Sequence, residues 1–402
     1  MVENAANKKA NTEKFITKFA KVYTPIVVAL AILIAVVPSI FIKDALFSTW
    51  LYRALVFLVV SCPCALVVSV PLGFFAGIGG ASKKGVLVKG SNYLELLKDL
   101  ETVVFDKTGT LTEGVFTVTE INTNNIQKEK LIEAAAMAES FSNHPIAISI
   151  IKEYGKEIDK EVIEEYEEIA GHGIKAVINN EEVLIGNEKL MNQFNISYNE
   201  VDSIGTVVYC AINGEFKGSI VISDKIKENA AEALINLKAA GVKKTVMLTG
   251  DNKKTAEKVG EKVNIDEVHS ELLPLGKVKE VEKLLKASNK NGRLAFVGDG
   301  VNDAPVLARA DIGIAMGGIG SDAAIEAADV VLMKDDINAL VDAINVSKKT
   351  NKILWQNIIF ALGIKVIVMV LGTFGIANMW TAVFADVGVT IIAIINSTRC
   401  FR

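Results

Sequence analysis

The chain has 402 residues, half of them hydrophobic, a formal net charge of −4 and a positive mean hydropathy. That balance points to a membrane protein rather than a soluble globular one. The small charge, with no basic cluster interleaved with aromatic residues, excludes nucleic acid as a partner.

Residues 1–17 read as a polar linker, and no small-residue cleavage site closely follows the first apolar run, so that run is expected to stay in the mature protein. Val22 to Ile42 and Ala54 to Ser82 carry no charge. Each is long enough to cross roughly 30 Å of hydrocarbon as a helix, which makes residues 18–99 a membrane hairpin. Its second span holds Cys62 and Cys64 on either side of Pro63, two of only four cysteines, the others being Cys210 and Cys400. A disulfide framework is improbable inside a span, leaving metal ligation or plain packing. Pro63 removes a helical hydrogen bond, and an unwound turn lets both thiolates reach one ion. Thiolates favour Cu⁺, Zn²⁺ or Cd²⁺ over Na⁺, Mg²⁺ or Ca²⁺.

The chain then turns polar. Thr102-Val103-Val104-Phe105, Val246-Met247-Leu248 and Leu294-Ala295-Phe296-Val297 are short apolar runs, each ending at an aspartate or a Gly-rich turn. They read as buried parallel strands, and helical patterns such as Asn229 to Ala240 and Lys277 to Ala287 separate them. The alternation predicts a doubly wound α/β domain, residues 100–114 and 218–347, with its site at the carboxyl ends of the strands. Residues 115–217 follow another rule, with helices over Lys128 to Glu139 and Ile146 to Lys156, then alternating strands turned by Asn179-Asn180 and Asn213-Gly214. This is an inserted α+β domain. Residues 348–402 form a second membrane hairpin, apolar from Ile353 to Thr398 except for Lys365 and Asp386, with a turn at Gly375-Ile376-Ala377-Asn378. Lysines and arginines flank all four spans on one side, which places that side and the central domains in the cytoplasm.

A strand-end aspartate acts as a nucleophile toward a phosphoryl group when cations neutralise the converging charge. Asp106 is so placed, Lys107 and Lys277 are candidate cations, Asp299 and Asp303 suit Mg²⁺, and Thr249 suits the transferred phosphate.

Asp106-Lys107-Thr108-Gly109-Thr110-Leu111-Thr112, then Thr249-Gly250-Asp251, then Gly298-Asp299-Gly300-Val301-Asn302-Asp303-Ala304-Pro305 resemble the signature of P-type ATPases. The resemblance implies a haloacid-dehalogenase-like phosphorylation domain in which Asp106 accepts phosphate from ATP. It further implies that Asp106, Thr108 and Asp299 serve Mg²⁺, Thr249 and Lys277 contact the phosphoryl group, and Asn302 and Asp303 support it. Related soluble phosphatases carry a second aspartate two positions after the nucleophile; Thr108 stands there, which fits a phosphoenzyme that persists.

The insertion resembles the nucleotide-binding domain of the heavy-metal class, through Glu139, His144-Pro145, Gly171-His172-Gly173 and Gly186-Asn187. This implies adenine contacts from Glu139 and His144 and close backbone approach at Gly171, Gly173 and Gly186. His172 and His269 read as ordinary loop and surface residues. Cys62-Pro63-Cys64 is the mark of the same class, and Lys365 with Asp386-x-Gly388 resembles its zinc/cadmium/lead branch. There the Asp is a metal ligand and the Lys a built-in counter-ion, which implies ATP-driven export of Zn²⁺, Cd²⁺ or Pb²⁺ across the plasma membrane. Complete members carry four earlier spans and an actuator domain with a Thr-Gly-Glu loop that this sequence lacks. The expectation is therefore a truncated or split pump, its N-terminal portion with the actuator domain either supplied as a separate chain or lost from a truncated gene. The alternative is a non-transporting remnant that binds ATP without turning over.

Overall fold

The computed structural model describes residues 11–42, 46–201, 203, 205–289, 292–299, 303–317 and 322–401. Its strands are β1 (Val86–Val88), β2 (Leu100–Asp106), β3 (Thr112–Thr123), β4 (Ile163–Ile169), β5 (Gly173–Ile178), β6 (Glu181–Gly186), β7 (Thr206–Ile212), β8 (Glu215–Ile226), β9 (Lys244–Leu248), β10 (Glu267–His269), β11 (Arg293–Gly298), β12 (Ile312–Met316) and β13 (Val330–Leu332). The chain divides into two compact units. The first comprises Met1–Val103, Ile235–Lys244 and Val278–Arg402, and the second Val104–Leu234 and Thr245–Lys277.

The first unit contains four helical stretches long and apolar enough to span a membrane. Helix α1 (Asn11–Phe41) is followed by α2 (Phe47–Val60) and α3 (Cys64–Lys83), which together make one span broken at Ser61-Cys62-Pro63. Helix α4 (Asn338–Thr373) and α5 (Met379–Phe401) supply the other two, joined at Gly375, whose φ of +78° suits glycine. Helix α4 starts well before the predicted apolar stretch, because Leu340, Ala343, Ile344 and Ser347 bury one face and continue the helix through Lys348, Lys349 and Lys352. Val27, Ala31 and Ala35 of α1 pack on Ala54 and Phe57 of α2. Glycines let α3 approach its neighbours closely: a Cβ on Gly80 would lie 2.7 Å from the Cys400 carbonyl oxygen. Large apolar side chains such as Val67, Phe75, Ile367 and Trp380 are exposed on these helices, the surface a lipid solvent requires. In the soluble part of this unit the strand order is β1-β13-β12-β11-β2. Strands β11, β12 and β13 are parallel, and β1 is the antiparallel edge. Every residue of β12 is buried, as a doubly covered sheet demands.

In the second unit, β2 continues the order β2-β9-β10, with β9 and β10 parallel. The insertion is an antiparallel sheet in the order β3-β8-β7-β6-β5-β4. Residues 114–115 and 217–218 lie within β3 and β8, so neither strand is interrupted there, and β3 starts directly after the turn that follows β2. The helices Lys128–Ala138 and Pro145–Tyr154 cover one face, burying Leu131, Ala135 and Ile150 against Ile185, Cys210 and Ile220. Burying each leucine or isoleucine among them stabilises by about 1.5–3 kcal/mol. The other face packs Leu184 and Tyr209 on Leu190 and Met191. Asn179, Asn180, Asn213 and Gly214 all have positive φ, the geometry of the predicted two-residue hairpin turns.

Candidate functional site

Asp106 is the last residue of β2 and is 7 % exposed. The chain turns immediately through Lys107–Leu111, with Gly109 at φ +70°, a conformation that leaves no room for a Cβ-bearing residue without strain. Lys277, in the first turns of the helix Pro274–Ala287, places its Nζ 2.6 Å from Asp106 Oδ1. Thr249 follows β9, is 2 % exposed, and its hydroxyl accepts the Asp251 N–H at 3.1 Å.

Lys107 differs from the sequence expectation of a cation aimed at phosphate: its Nζ pairs with Asp251 at 3.0 Å and lies 3.9 Å from Asp224. The backbone turn after Asp106 carries the Lys107 side chain to Asp251, whereas the Lys277 ammonium pairs with Asp106.

Asp224 and Lys227 on the returning chain are site residues that sequence reasoning missed. The Asp224 carboxylate accepts from Gly114 N–H at 2.8 Å and contacts the Thr112 hydroxyl, while Lys227 Nζ donates to the Gly109 carbonyl at 3.1 Å. Both therefore hold the loop that follows Asp106. Burial pushes the Asp224 carboxyl up, against the opposing effects of Thr112 and Lys107. Thr108 is an exposed residue of the same loop.

Asp299 directly follows β11, and Asp303, 2 % exposed, precedes the short helix Ala304–Leu307; both belong to the first unit. Hard carboxylate oxygens at strand ends are the donor type Mg²⁺ takes. Asn302 lies outside the described residues.

In the insertion, Glu139, His144, Gly171, Gly173 and Gly186 border one cavity of about 270 Å³, together with Glu168, His172 and Asn187. His144 Nδ1 accepts the Ile146 N–H at 3.3 Å, so this histidine also starts the helix Pro145–Tyr154. Of the three glycines, two owe their small size to each other. Gly173 and Gly186 are paired across β5 and β6, and a Cβ on Gly173 would lie 2.2 Å from the Ile185 carbonyl oxygen. A Cβ on Gly171 meets nothing within 4 Å, and its φ of +72° is the reason for glycine. His172, read from sequence as an ordinary loop residue, instead borders the cavity, a placement that only the turn between β4 and β5 creates. His269 Nε2 contacts Glu267 at 2.8 Å, as a surface residue would.

Burial, and secondly the charge of Glu168, push the Glu139 carboxyl up to about 7. The folded state then binds a proton more tightly than the unfolded one, so stability is lost as pH rises from the unfolded value to about 7. A shift from 4.5 to about 7 corresponds to about 3 kcal/mol at 1.36 kcal/mol per unit. Glu139→Gln is therefore expected to melt at a higher temperature than the parent at pH 8 and to match it near pH 4.5. A parallel pH dependence of the two melting curves would refute this assignment.

In the membrane helices, Asp386 sits in a π-helical turn, Phe384–Gly388, of the last span. One ligand atom from each of Cys62, Cys64 and Asp386 lies within 4.8 Å of the others. Lys365 is 2 % exposed, and its ammonium donates to Asp386 Oδ1 at 2.8 Å, to the Val60 carbonyl at 3.1 Å and to the Cys62 carbonyl. These three acceptors use all three of its donors. Pro63 has no N–H to donate at the break, and Lys365 serves the carbonyls of Val60, the last residue of α2, and of Cys62 beyond it. The two cysteines form a disulfide with Cα atoms 5.5 Å apart, where the sequence predicted free thiols. Pro63, at φ −81° and ψ 36°, takes the backbone out of the helix and turns both sulfurs to one side. Ion binding by both sulfurs requires the reduced pair.

Residues 100–311 match the family described as hydrolase, haloacid dehalogenase-like hydrolase. The chain belongs to it. Beyond the hydrolase domain, all 402 residues find relatives. The chain is 57 % identical over 403 aligned residues to a cadmium, zinc and cobalt-transporting ATPase of Bacillus subtilis (strain 168), covering 100 % of this chain and 57 % of the relative. It is 54 % identical to a zinc-transporting ATPase of Synechocystis sp., covering 99 % and 55 %. A crystal structure of a zinc-transporting PIB-type ATPase in the E2.Pi state superposes with a TM-score of 0.86 at 37 % identity, covering 100 % of this chain and 66 % of that one. The chain thus spans a little over half the length of the curated relatives it matches. This chain combines four helices long and apolar enough to span a membrane with a domain of the hydrolase family.

Proposed function

We propose that this chain is the phosphorylation, nucleotide-binding and ion-conducting portion of an ATP-driven exporter of Zn²⁺ and Cd²⁺, with Pb²⁺ as a further substrate. The observation that carries the reading is the convergence of Cys62, Cys64 and Asp386 within 4.8 Å, beside a Lys365 ammonium hydrogen-bonded to Asp386. Two soft sulfurs and one carboxylate suit a borderline or soft divalent ion. The relatives named as cadmium and zinc transporters agree with that donor set, and similarity along the entire chain favours a working pump over a non-transporting remnant.

In this reading ATP binds in the insertion, with its adenine against Glu139 and His144 beside Gly171, Gly173 and Gly186. Asp106 attacks the γ-phosphoryl group, the bond to the leaving ADP oxygen breaks, and an aspartyl phosphate forms. Lys277 and Thr249 neutralise and hold the transferred group, and Asp303 and Asn302 support it. Asp106, Asp299 and Thr108 are the residues that would hold Mg²⁺, which would supply positive charge to the phosphoryl oxygens. Lys107, Asp251, Gly250, Asp224 and Lys227 keep the loop and its partner turn in place. In the membrane, the ion displaces Lys365 from Asp386 on binding, and the returning ammonium expels it. Four earlier spans and an actuator domain complete the pump, in the same polypeptide or as a separate chain.

The test is metal-stimulated phosphoenzyme formation. Under reducing conditions Zn²⁺ or Cd²⁺ is expected to raise labelling from γ-labelled ATP, and Cys62→Ala/Cys64→Ala to remove that stimulation while leaving nucleotide binding intact. Undiminished stimulation in the double variant would remove the case for the membrane site.

A further inference from the structure

A sulfur that the proposed ion site does not use lies close to it. Met369 is four residues, one helical turn, beyond Lys365 on α4, on the side away from the lysines at residues 348, 349 and 352. Ser61, 3 % exposed and adjacent to Cys62, donates its hydroxyl to the Phe57 carbonyl at 2.6 Å, and the same oxygen lies 3.3 Å from Met369 Sδ. The Tyr23 hydroxyl of α1 lies 3.9 Å from the same sulfur. Met369, Tyr23, Phe57, Val370 and Thr373 border an otherwise apolar cavity of about 280 Å³.

Packing alone does not call for this arrangement. A leucine would fill the same volume, yet the Tyr23 hydroxyl of α1 and the Ser61 oxygen in the break between α2 and α3 both approach one thioether in a region where polar groups are costly. A thioether is a soft, uncharged donor. Uncharged ligands bind a divalent ion weakly, which suits a position the ion leaves soon after arriving. The Lys365 ammonium, one turn away, repels an ion from the Asp386 side.

We propose that Met369, with the Ser61 hydroxyl, is a second, weaker station for a soft divalent cation, one turn beyond the Cys62/Cys64/Asp386 site, and that it favours Cd²⁺ over Zn²⁺. This rests on the reading of that first site as the ion-binding site. The ion passes from thiolates and carboxylate to thioether and hydroxyl, and the neutral station keeps it from falling back.

The experiment is equilibrium binding of Cd²⁺ and Zn²⁺ to the full chain in detergent under reducing conditions. It compares the parent, a chain with Cys62, Cys64, Cys210 and Cys400 all replaced by Ala, and that cysteine-free chain carrying Met369→Leu. The parent is expected to show one tight and one weak Cd²⁺ event. The cysteine-free chain keeps only the weak one, and Met369→Leu weakens it at least tenfold; Zn²⁺ at the weak station binds at least fivefold less tightly than Cd²⁺. X-ray absorption at cadmium in the cysteine-free chain, with Met369 in place, is expected to show a sulfur neighbour. An all-oxygen shell there, or weak Cd²⁺ binding unchanged by Met369→Leu, would overturn the proposal. Tight binding that persists without the cysteines would instead overturn the reading of the first site.

Discussion

Lys365→Met is expected to lower the melting temperature of the metal-free chain and at the same time to tighten its hold on Zn²⁺ and Cd²⁺ by at least tenfold. The substitution keeps an unbranched side chain one atom shorter and removes its charge. Asp386 is then left without its cation, and the Val60 and Cys62 carbonyls lose their donor. Removing one partner of a buried ion pair costs about 3–5 kcal/mol. A charge at the centre of the bilayer costs about 2.5–3.5 kcal/mol on insertion scales. A divalent ion bound by the reduced cysteines and Asp386 supplies the missing charge, so metal is expected to restore much of the lost melting temperature. The same substitution removes the group that competes with the ion, which is why affinity rises. Melting curves with and without metal, in detergent under reducing conditions, measure both effects. Equal metal affinity in parent and variant would mean that Lys365 does not compete with the ion at all.

Lys277→Ala is expected to slow phosphoenzyme formation about 100- to 1000-fold. Its ammonium lies 2.6 Å from the Asp106 carboxylate, with both side chains largely shielded from water. Attack on ATP brings an anionic nucleophile against an anionic phosphoryl group, and a preorganised cation at that point acts where charge converges. Removing one such donor from a comparable site costs about 2.7–4 kcal/mol of barrier. Lys277→Arg keeps the charge but changes its shape, and is expected to recover only part of the rate. Single-turnover labelling separates this from nucleotide binding, which Lys277→Ala should leave within a few-fold of the parent.

The parts of the site legible in sequence are those in which chemistry and local pattern coincide. Asp106 ends an apolar strand run, and β2 indeed ends on it. Lys365 and Asp386 stood out because charges in an apolar stretch are costly, and the structure pairs them. What remained hidden depends on chain segments distant in sequence. Asp224 and Lys227 meet the loop after Asp106 only because β8 returns alongside β3. The carbonyls of Val60 and Cys62 became ligands of Lys365 only once Pro63 had broken the helix. Close backbone approach was expected at Gly173 and Gly186, and the approach visible in the structure is that of their own paired strands, β5 and β6, which no local pattern shows. The depth of α4 was missed because a helix that is charged on one face and buried on the other has no apolar run to mark its start.

The most direct test of the central claim is phosphate transfer to one side chain. With Mg²⁺ and γ-labelled ATP, the chain is expected to acquire an acid-stable label that hydroxylamine removes, as an acyl phosphate requires, and Asp106→Asn is expected to abolish it. Label of undiminished intensity in Asp106→Asn would contradict the account.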